Sequence, residues 1–265
     1  MAEAGEHSDH YQAVAAKYDQ CVFYDSSGPL VHWQLECCCK HLQTEPGHTV
    51  LDIGGGTGQF TALLESRLNK HLGHASVVLV EPSKGMIDRA GEHSTTLQCA
   101  NADLLTYAAS APGAAERILL KEVVHHFGSG EDFQAAVDAL WTLLKPGGLL
   151  VILTRPKEPE YPFFPRALDS WKEGVEEPSV WAKTFEEAGF RVGVHKETFT
   201  VSMNRATWVQ MTKDRFWSCF APLEDSEIEE GVAWMQDNLS ATVTFDEVEQ
   251  YIVARKPEMP GPSTL

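Results

Sequence analysis

Thr49-Val50-Leu51-Asp52-Ile53-Gly54-Gly55-Gly56-Thr57-Gly58 is the stretch on which the reading of this chain turns. A short, mostly apolar strand runs into a loop of glycines. Behind it, Gln59 to His71 places Phe60, Leu63, Leu64 and Leu68 at helical spacing. Glycines let the backbone turn sharply and let a ligand approach without meeting a Cβ. The helix start adds free amide N–H groups, and such loops lie outside the carboxyl ends of open α/β sheets, where ligands bind. The pattern is D-x-G-x-G-x-G. It is neither of two commoner glycine loops. A dinucleotide loop, G-x-G-x-x-G, fails because Gln59 stands sixth from Gly54 and Thr57 third from Gly55. A phosphate loop fails because no Gly-Lys-Ser/Thr follows.

Outward from the loop, strand-like and helix-like segments alternate, which predicts a parallel sheet covered by helices. Ser76 to Val80 reads as a second strand, Ser83 to Ala90 as a short helix and Thr96 to Ala100 as a third strand. Arg117 to Val124 reads as the fourth. Phe133, Val137, Leu140 and Leu144 form one face of a helix that Lys145-Pro146-Gly147-Gly148 stops, and Leu149 to Leu153 is the fifth strand. Thr154 to Pro178, rich in Pro and aromatic residues, reads as a loop with short helices. A helix at Val180 to Ala188, a strand at Phe190 to Val194, helices at Asn204 to Phe220 and Asp225 to Leu239, and a last strand at Val248 to Ala254 complete the chain. The expectation is one domain over 1–265. Its core covers about 46–200 and 245–256, and its cap comes from 1–45 and 201–244.

The 265 residues, 43% hydrophobic and 22% charged, are enough for one full α/β domain. A formal net charge of −17 disfavours nucleic acid as a partner and is compatible with a cationic substrate, though it speaks to solubility first. No apolar run reaches the length of a membrane span, and Met1 to Tyr11 has no targeting pattern, so a cytoplasmic protein without a membrane partner is expected. The cysteines at 21, 37, 38, 39, 99 and 219 show neither a disulfide framework nor metal-ligand spacing; no metal is expected, and Cys37-Cys38-Cys39 falls in an apparent helix, Leu30 to Leu42.

The chain resembles the class I S-adenosylmethionine-dependent methyltransferases, chiefly their small-molecule branch, across residues 49–154. Asp52, Gly54, Gly56 and Gly58 match the family's first motif, which faces the methionine part of the cofactor. Glu81, in Val80-Glu81-Pro82-Ser83, matches the acid that accepts hydrogen bonds from both ribose hydroxyls. Met86 resembles the apolar residue packed on adenine, and Asp103 in Ala102-Asp103-Leu104 the carboxylate at the adenine amino group. Lys121 to His126 corresponds to the strand motif beside the methyl group, and Leu144 to Gly148 to the turn before the fifth strand. Glu116-Arg117 departs from the Asp common at the start of the fourth strand. The resemblance implies a Rossmann-like α/β fold, a seven-stranded mixed sheet with helices on both faces and a helical cap. It implies S-adenosyl-L-methionine as cofactor, S-adenosyl-L-homocysteine as product, and methyl transfer to N, O or S of a small molecule. The glycine loop with Val80 to Ser83 is also similar to histamine-type amine methyltransferases, which makes an amine a possible acceptor. A non-catalytic cofactor-binding protein and a protein methyltransferase are the alternatives.

Each residue has a plainer reading beside this one. Glu81 could be a surface carboxylate, Asp103 a turn-former and Met86 core. Gly54 is where a branched side chain is expected to enter the cofactor's space. His125 and His126 end the expected fourth strand; either could take a proton from an acceptor. Neighbours on a strand face opposite ways, so one at most should meet the methyl group, and alignment alone could supply the rate. Tyr161, Phe163 and Trp171, with Phe164, Trp208 and Trp217, either cap an acceptor pocket or pack as core. Tyr18 and Tyr24 lie in a segment that folds over the cofactor in related enzymes.

Overall fold

Strand alternation sets the architecture. A computed structural model describes Phe23 and residues 25–258. Along β1 (Thr49–Ile53), Val50 and Leu51 enter cores on opposite faces of the sheet, as do Leu119 and Leu120 on β4 (Ala115–Lys121) and Val151 and Ile152 on β5 (Leu144–Thr154). One face is covered by α1 (Pro29–Leu42) and α2 (Gln59–Leu72), through Leu35, Cys38, Leu42, Leu64 and Leu68. The other is covered by α4 (Leu104–Ser110), α5 (Glu131–Leu143) and α7 (Pro178–Glu187), through Leu104, Ala108, Val137, Leu140, Trp181 and Phe185. The remaining elements are β2 (Ser76–Val80), α3 (Lys84–His93), β3 (Gln98–Ala100), α6 (Pro165–Gly174), β6 (Arg191–Asn204), α8 (Arg205–Lys213), α9 (Asp225–Asn238) and β7 (Thr242–Arg255).

The seven strands order as β3-β2-β1-β4-β5-β7-β6. The pairs β2-β3, β1-β2, β1-β4 and β4-β5 are parallel and β5-β7 is antiparallel, so the sheet is mixed, as the resemblance implied. Contacts divide the described chain into a larger unit, residues 23–154, 178–195 and 250–258, and a smaller one, residues 155–177 and 196–249. Helix α1, in the span expected as cap, packs in the larger unit. The smaller unit has an aromatic core: Tyr161, Phe163, Trp171, Trp208, Trp217 and Phe245 meet ring against ring.

Several boundaries differ from expectation. Lys145 to Gly148 form a bulge at the start of β5, since Leu144 pairs Ala115 and Leu149 pairs Arg117. Both β6 and β7 run 14 residues, where the sequence suggested five and seven. Their polar, half-exposed halves, joined by Thr200–Asp246 and Ser202–Thr244 side-chain bonds, lack the apolar run used to read strands. The expected Asn204 to Phe220 helix ends at Lys213, because Arg215 turns to φ 51° and Phe216 N–H bonds back to Met211 O. Helix α4 was not expected at all. The unexpected Glu116-Arg117 start of β4 is an anchor: Glu116 accepts Thr49 N–H at 2.9 Å and pairs with Lys145, while Arg117 donates to Gln43 O beyond α1.

Candidate functional site

Site residues converge at the carboxyl ends of β1, β2 and β4 in the larger unit. Asp52 is 1% exposed and its Oδ2 accepts the Thr61 hydroxyl at 2.6 Å, tying the strand end to α2. Its Oδ1 has no hydrogen-bond partner among the described residues. Burial pushes the Asp52 carboxyl up to about 6; Thr61 and the Lys121 charge oppose that rise, and the Glu81 charge adds to it.

Gly54, Gly56 and Gly58 hold φ of 73°, 61° and 74°, a backbone region that favours glycine. Their surroundings differ. A Cβ on Gly54 would sit 2.8 Å from Val123 Cγ2, so a side chain there strikes the protein itself rather than entering ligand space as expected. A Cβ on Gly56 would meet nothing within 4 Å, leaving that face open.

Glu81 joins the loop to β2. It is buried; Oε2 accepts Gly56 N–H at 3.1 Å and Oε1 accepts Ser83 N–H at 2.9 Å. Burial raises its pKa and the two backbone bonds hold it down. This excludes the plain surface reading. Each oxygen retains a lone pair for a further donor. Asn101, which the sequence reading passed over, donates to Glu81 O at 3.0 Å and Pro82 O at 2.9 Å and fixes the same bend. Pro82 is exposed and Met86 half-buried on α3.

Asp103 is the N-cap of α4: Oδ1 accepts Thr106 N–H and Oδ2 accepts the Thr106 hydroxyl, both at 2.8 Å, and these bonds lower its pKa. Leu104 is buried in the core. Lys121 ends β4 with Nζ 5.0 Å from the Phe60 ring centroid.

The histidine pair is placed differently from expectation. β4 stops at Lys121, Glu122 turns to φ 59° with its N–H on Leu153 O, and Val124–Phe127 forms a 3₁₀ turn. On that tight turn His125 and His126 do not face opposite ways; both are exposed, with ring centroids 4.0 Å apart. Tyr161, Phe163 and Trp171 are 4%, 2% and 6% exposed and bury one another in the smaller unit, the arrangement of the packing reading. Tyr18 and Tyr24 lie outside the described residues.

The acceptor set suits a ligand that carries an ammonium and a diol: carboxylates at Asp52 and Glu81 accept, and the open face at Gly56 admits close approach. Comparisons agree. Residues 51–152 match a family model described as a methyltransferase domain. The chain is 29% identical over 163 residues to the ubiquinone/menaquinone biosynthesis C-methyltransferase UbiE of Pseudoalteromonas translucida, covering 61% of this chain. It spans 63% of the length of that relative. In fold it is similar to a SAM dependent methyltransferase from Archaeoglobus fulgidus, at 17% identity and TM-score 0.54, covering 88% of this chain and 97% of that one. It is also similar to Haemonchus contortus phosphoethanolamine N-methyltransferase 2 in complex with S-adenosyl-L-methionine, at 15% identity and TM-score 0.56, covering 91% and 56%. With its glycine loop, its acid at the end of β2 and its strand order in agreement with that match, the chain carries over residues 51–152 a methyltransferase domain of the class I, S-adenosylmethionine-dependent family.

Proposed function

We propose that the protein transfers a methyl group from S-adenosyl-L-methionine to N, O or S of a small-molecule acceptor, an amine-bearing one foremost. The observation that carries this is the bond between Glu81 and Gly56 N–H, which makes the ribose-binding acid and the glycine loop one cradle. When bound, the cofactor supplies a reactive sulfonium methyl. Asp52 would hold its ammonium end, Glu81 would take the ribose hydroxyls through its remaining lone pairs, and Asp103, Leu104 and Met86 would hold the adenine. Alignment within this cradle supplies most of the rate. The acidity of the chain, −17 at neutral pH, accords with a cationic acceptor and against nucleic acid. No helix among the described residues is long and apolar enough to cross a membrane. We place the protein in the cytoplasm, where thiols outside disulfides, such as Cys39, Cys99 and Cys219 among the described residues, persist.

The test is S-adenosylhomocysteine formation with a panel of small amines, thiols and phenols, beside calorimetry with S-adenosylmethionine. Glu81→Gln should weaken cofactor binding by about 1.5–3 kcal/mol, the worth of hydrogen bonds to a charged group. Unchanged affinity in that variant removes Glu81 from the site, and binding without turnover on the panel favours a non-catalytic protein. A second reading, methylation of carbon, is favoured by the UbiE similarity. An amine, thiol or phenol can lose its proton to water, whereas a carbon acceptor gives one up from a weaker acid, so this reading leans more on a protein base.

A further inference from the structure

The loop after β1 holds a glycine that its motif does not require. In D-x-G-x-G-x-G, Gly55 fills an open position, and its φ lies outside the left-handed region that Gly54, Gly56 and Gly58 occupy. Backbone conformation alone would therefore admit a side chain there. Space does not. A Cβ on Gly55 would stand 2.5 Å from Leu79 Cδ1, 2.8 Å from Asp52 Oδ2 and 2.8 Å from Thr61 Oγ1. The first of these is the end of a flexible side chain and can shift. The other two are the partners of one short hydrogen bond, from the Thr61 hydroxyl to Asp52 at 2.6 Å, and neither moves away without lengthening it.

Thr61 is 0% exposed in the first turn of α2. A threonine hydroxyl in a helix commonly bonds to a carbonyl one turn earlier. This one donates to Asp52 instead, which is 1% exposed. The bond occupies Oδ2 and leaves Oδ1 with no hydrogen-bond partner among the described residues. Holding one oxygen stops rotation about a torsion that is otherwise broad, so the remaining acceptor keeps one direction. The same bond opposes burial, which favours the neutral carboxyl. As a staple between strand and helix the pair is a weak choice: two apolar groups of the same shape would hold as well, with no buried oxygen left unanswered. An aimed carboxylate with one oxygen unanswered has the form of a cation receptor. The next residue, Gly56, has open space where a side chain would stand, so a ligand can approach the loop beside this carboxyl.

We propose that Thr61 is a positioning residue for the cofactor: it locks the Asp52 carboxylate so that Oδ1 receives the ammonium of the methionine arm, and position 55 is glycine to leave room for the pair. This rests on the reading of Asp52 as the acceptor for that ammonium, and deepens it. Thr61 acts through Asp52 and not by contact with the ligand. Its effect is therefore confined to ligands that carry the amino group. A ligand without that group leaves Asp52 unused and does not sense Thr61.

Calorimetry on the full chain tests this with two probes, S-adenosylhomocysteine and its desamino analogue, the same molecule with hydrogen in place of the amino group. The wild type should bind S-adenosylhomocysteine at least about tenfold more tightly, as a hydrogen bond between charged groups warrants. Thr61→Val keeps the shape and removes the hydroxyl. It should lower S-adenosylhomocysteine affinity about fivefold or more and leave the affinity of the analogue unchanged. Thr61→Ser restores the donor and should bind both probes as the wild type does. Gly55→Ala should repeat the pattern of Thr61→Val, and it decides the matter if Thr61→Val does not fold. Equal loss of both affinities in a folded variant would reduce Thr61 to a structural staple, and loss of neither would remove it from the site; either result overturns the proposal. If the wild type binds both probes alike, the proposal fails and the cofactor reading stands. If it binds neither, the cofactor reading fails and takes the proposal with it.

Discussion

One added carbon separates the glycines of the loop. At Gly54 it combines left-handed strain with a clash on Val123, and at Gly56 only the strain. Gly54→Ala should therefore cost about 2–4 kcal/mol of stability, the sum of an αL penalty and overpacking. Gly56→Ala should cost about 1–2 kcal/mol, yet lower S-adenosylmethionine affinity at least about tenfold by filling the open face. Thermal unfolding and calorimetry on both variants check this, and equal Tm losses would contradict the packing described here. Asp52 titrates against its surroundings. Its folded pKa is raised to about 6, so the folded state holds a proton that the unfolded chain releases near pH 4. That contribution to stability is complete below about pH 4 and is lost as pH rises through about 6. Asp52→Asn cannot ionise and keeps an acceptor for Thr61. Its Tm should gain on the wild type as pH rises from about 4 to about 7, while its cofactor affinity falls. A Tm difference that does not change with pH would refute the shift.

At the scale of elements, the turn after β4 sets the directions of the two histidines. Val123 and Val124 are buried, so an apolar run hides the point where the strand stops, and the positive φ of Glu122 has no signature in its residue type. The sequence therefore marked the histidines and misjudged their directions. Both stand exposed on a 3₁₀ turn, and under the proposed function alignment supplies most of the rate. His126→Ala should keep kcat within about threefold and retain any acidic limb of the pH profile. A loss of about 10²-fold with that limb abolished would make His126 the base and favour the carbon-acceptor reading. The N-cap of α4 is legible in the sequence, where Asp103 with Thr106 three residues on makes a capping pattern.

Across the molecule, the aromatic residues of 155–177 and 208–245 form the core of the smaller unit. Trp171 is 6% exposed and meets Tyr161 edge-on at 5.3 Å. Trp171→Ala should cost about 3–5 kcal/mol, as large-to-small changes in cores do. Urea unfolding measures it, and a fully stable variant with only a raised acceptor KM would restore the capping role. Aromatic composition shows neither role by itself, because a ring that packs and a ring that lines a pocket are the same residue.

Periodicity and glycine spacing in the sequence alone determined the alternating α/β order, the parallel core of the sheet and the cofactor loop. These are local signals: strand, glycine turn and amphipathic helix each lie within a dozen or so residues, and β-strand alternation tells which side chains are buried. Tertiary structure alone decided that Glu81 holds Gly56, that Val123 occupies the space beside Gly54, that the histidines share one side of a turn, and that Glu247 lies buried against Arg155. Three of these join residues 25 to 92 positions apart, and the placing of the histidines depends on a single unusual φ. Contacts of that kind come from how the sheet brings distant segments together, which no window of sequence contains.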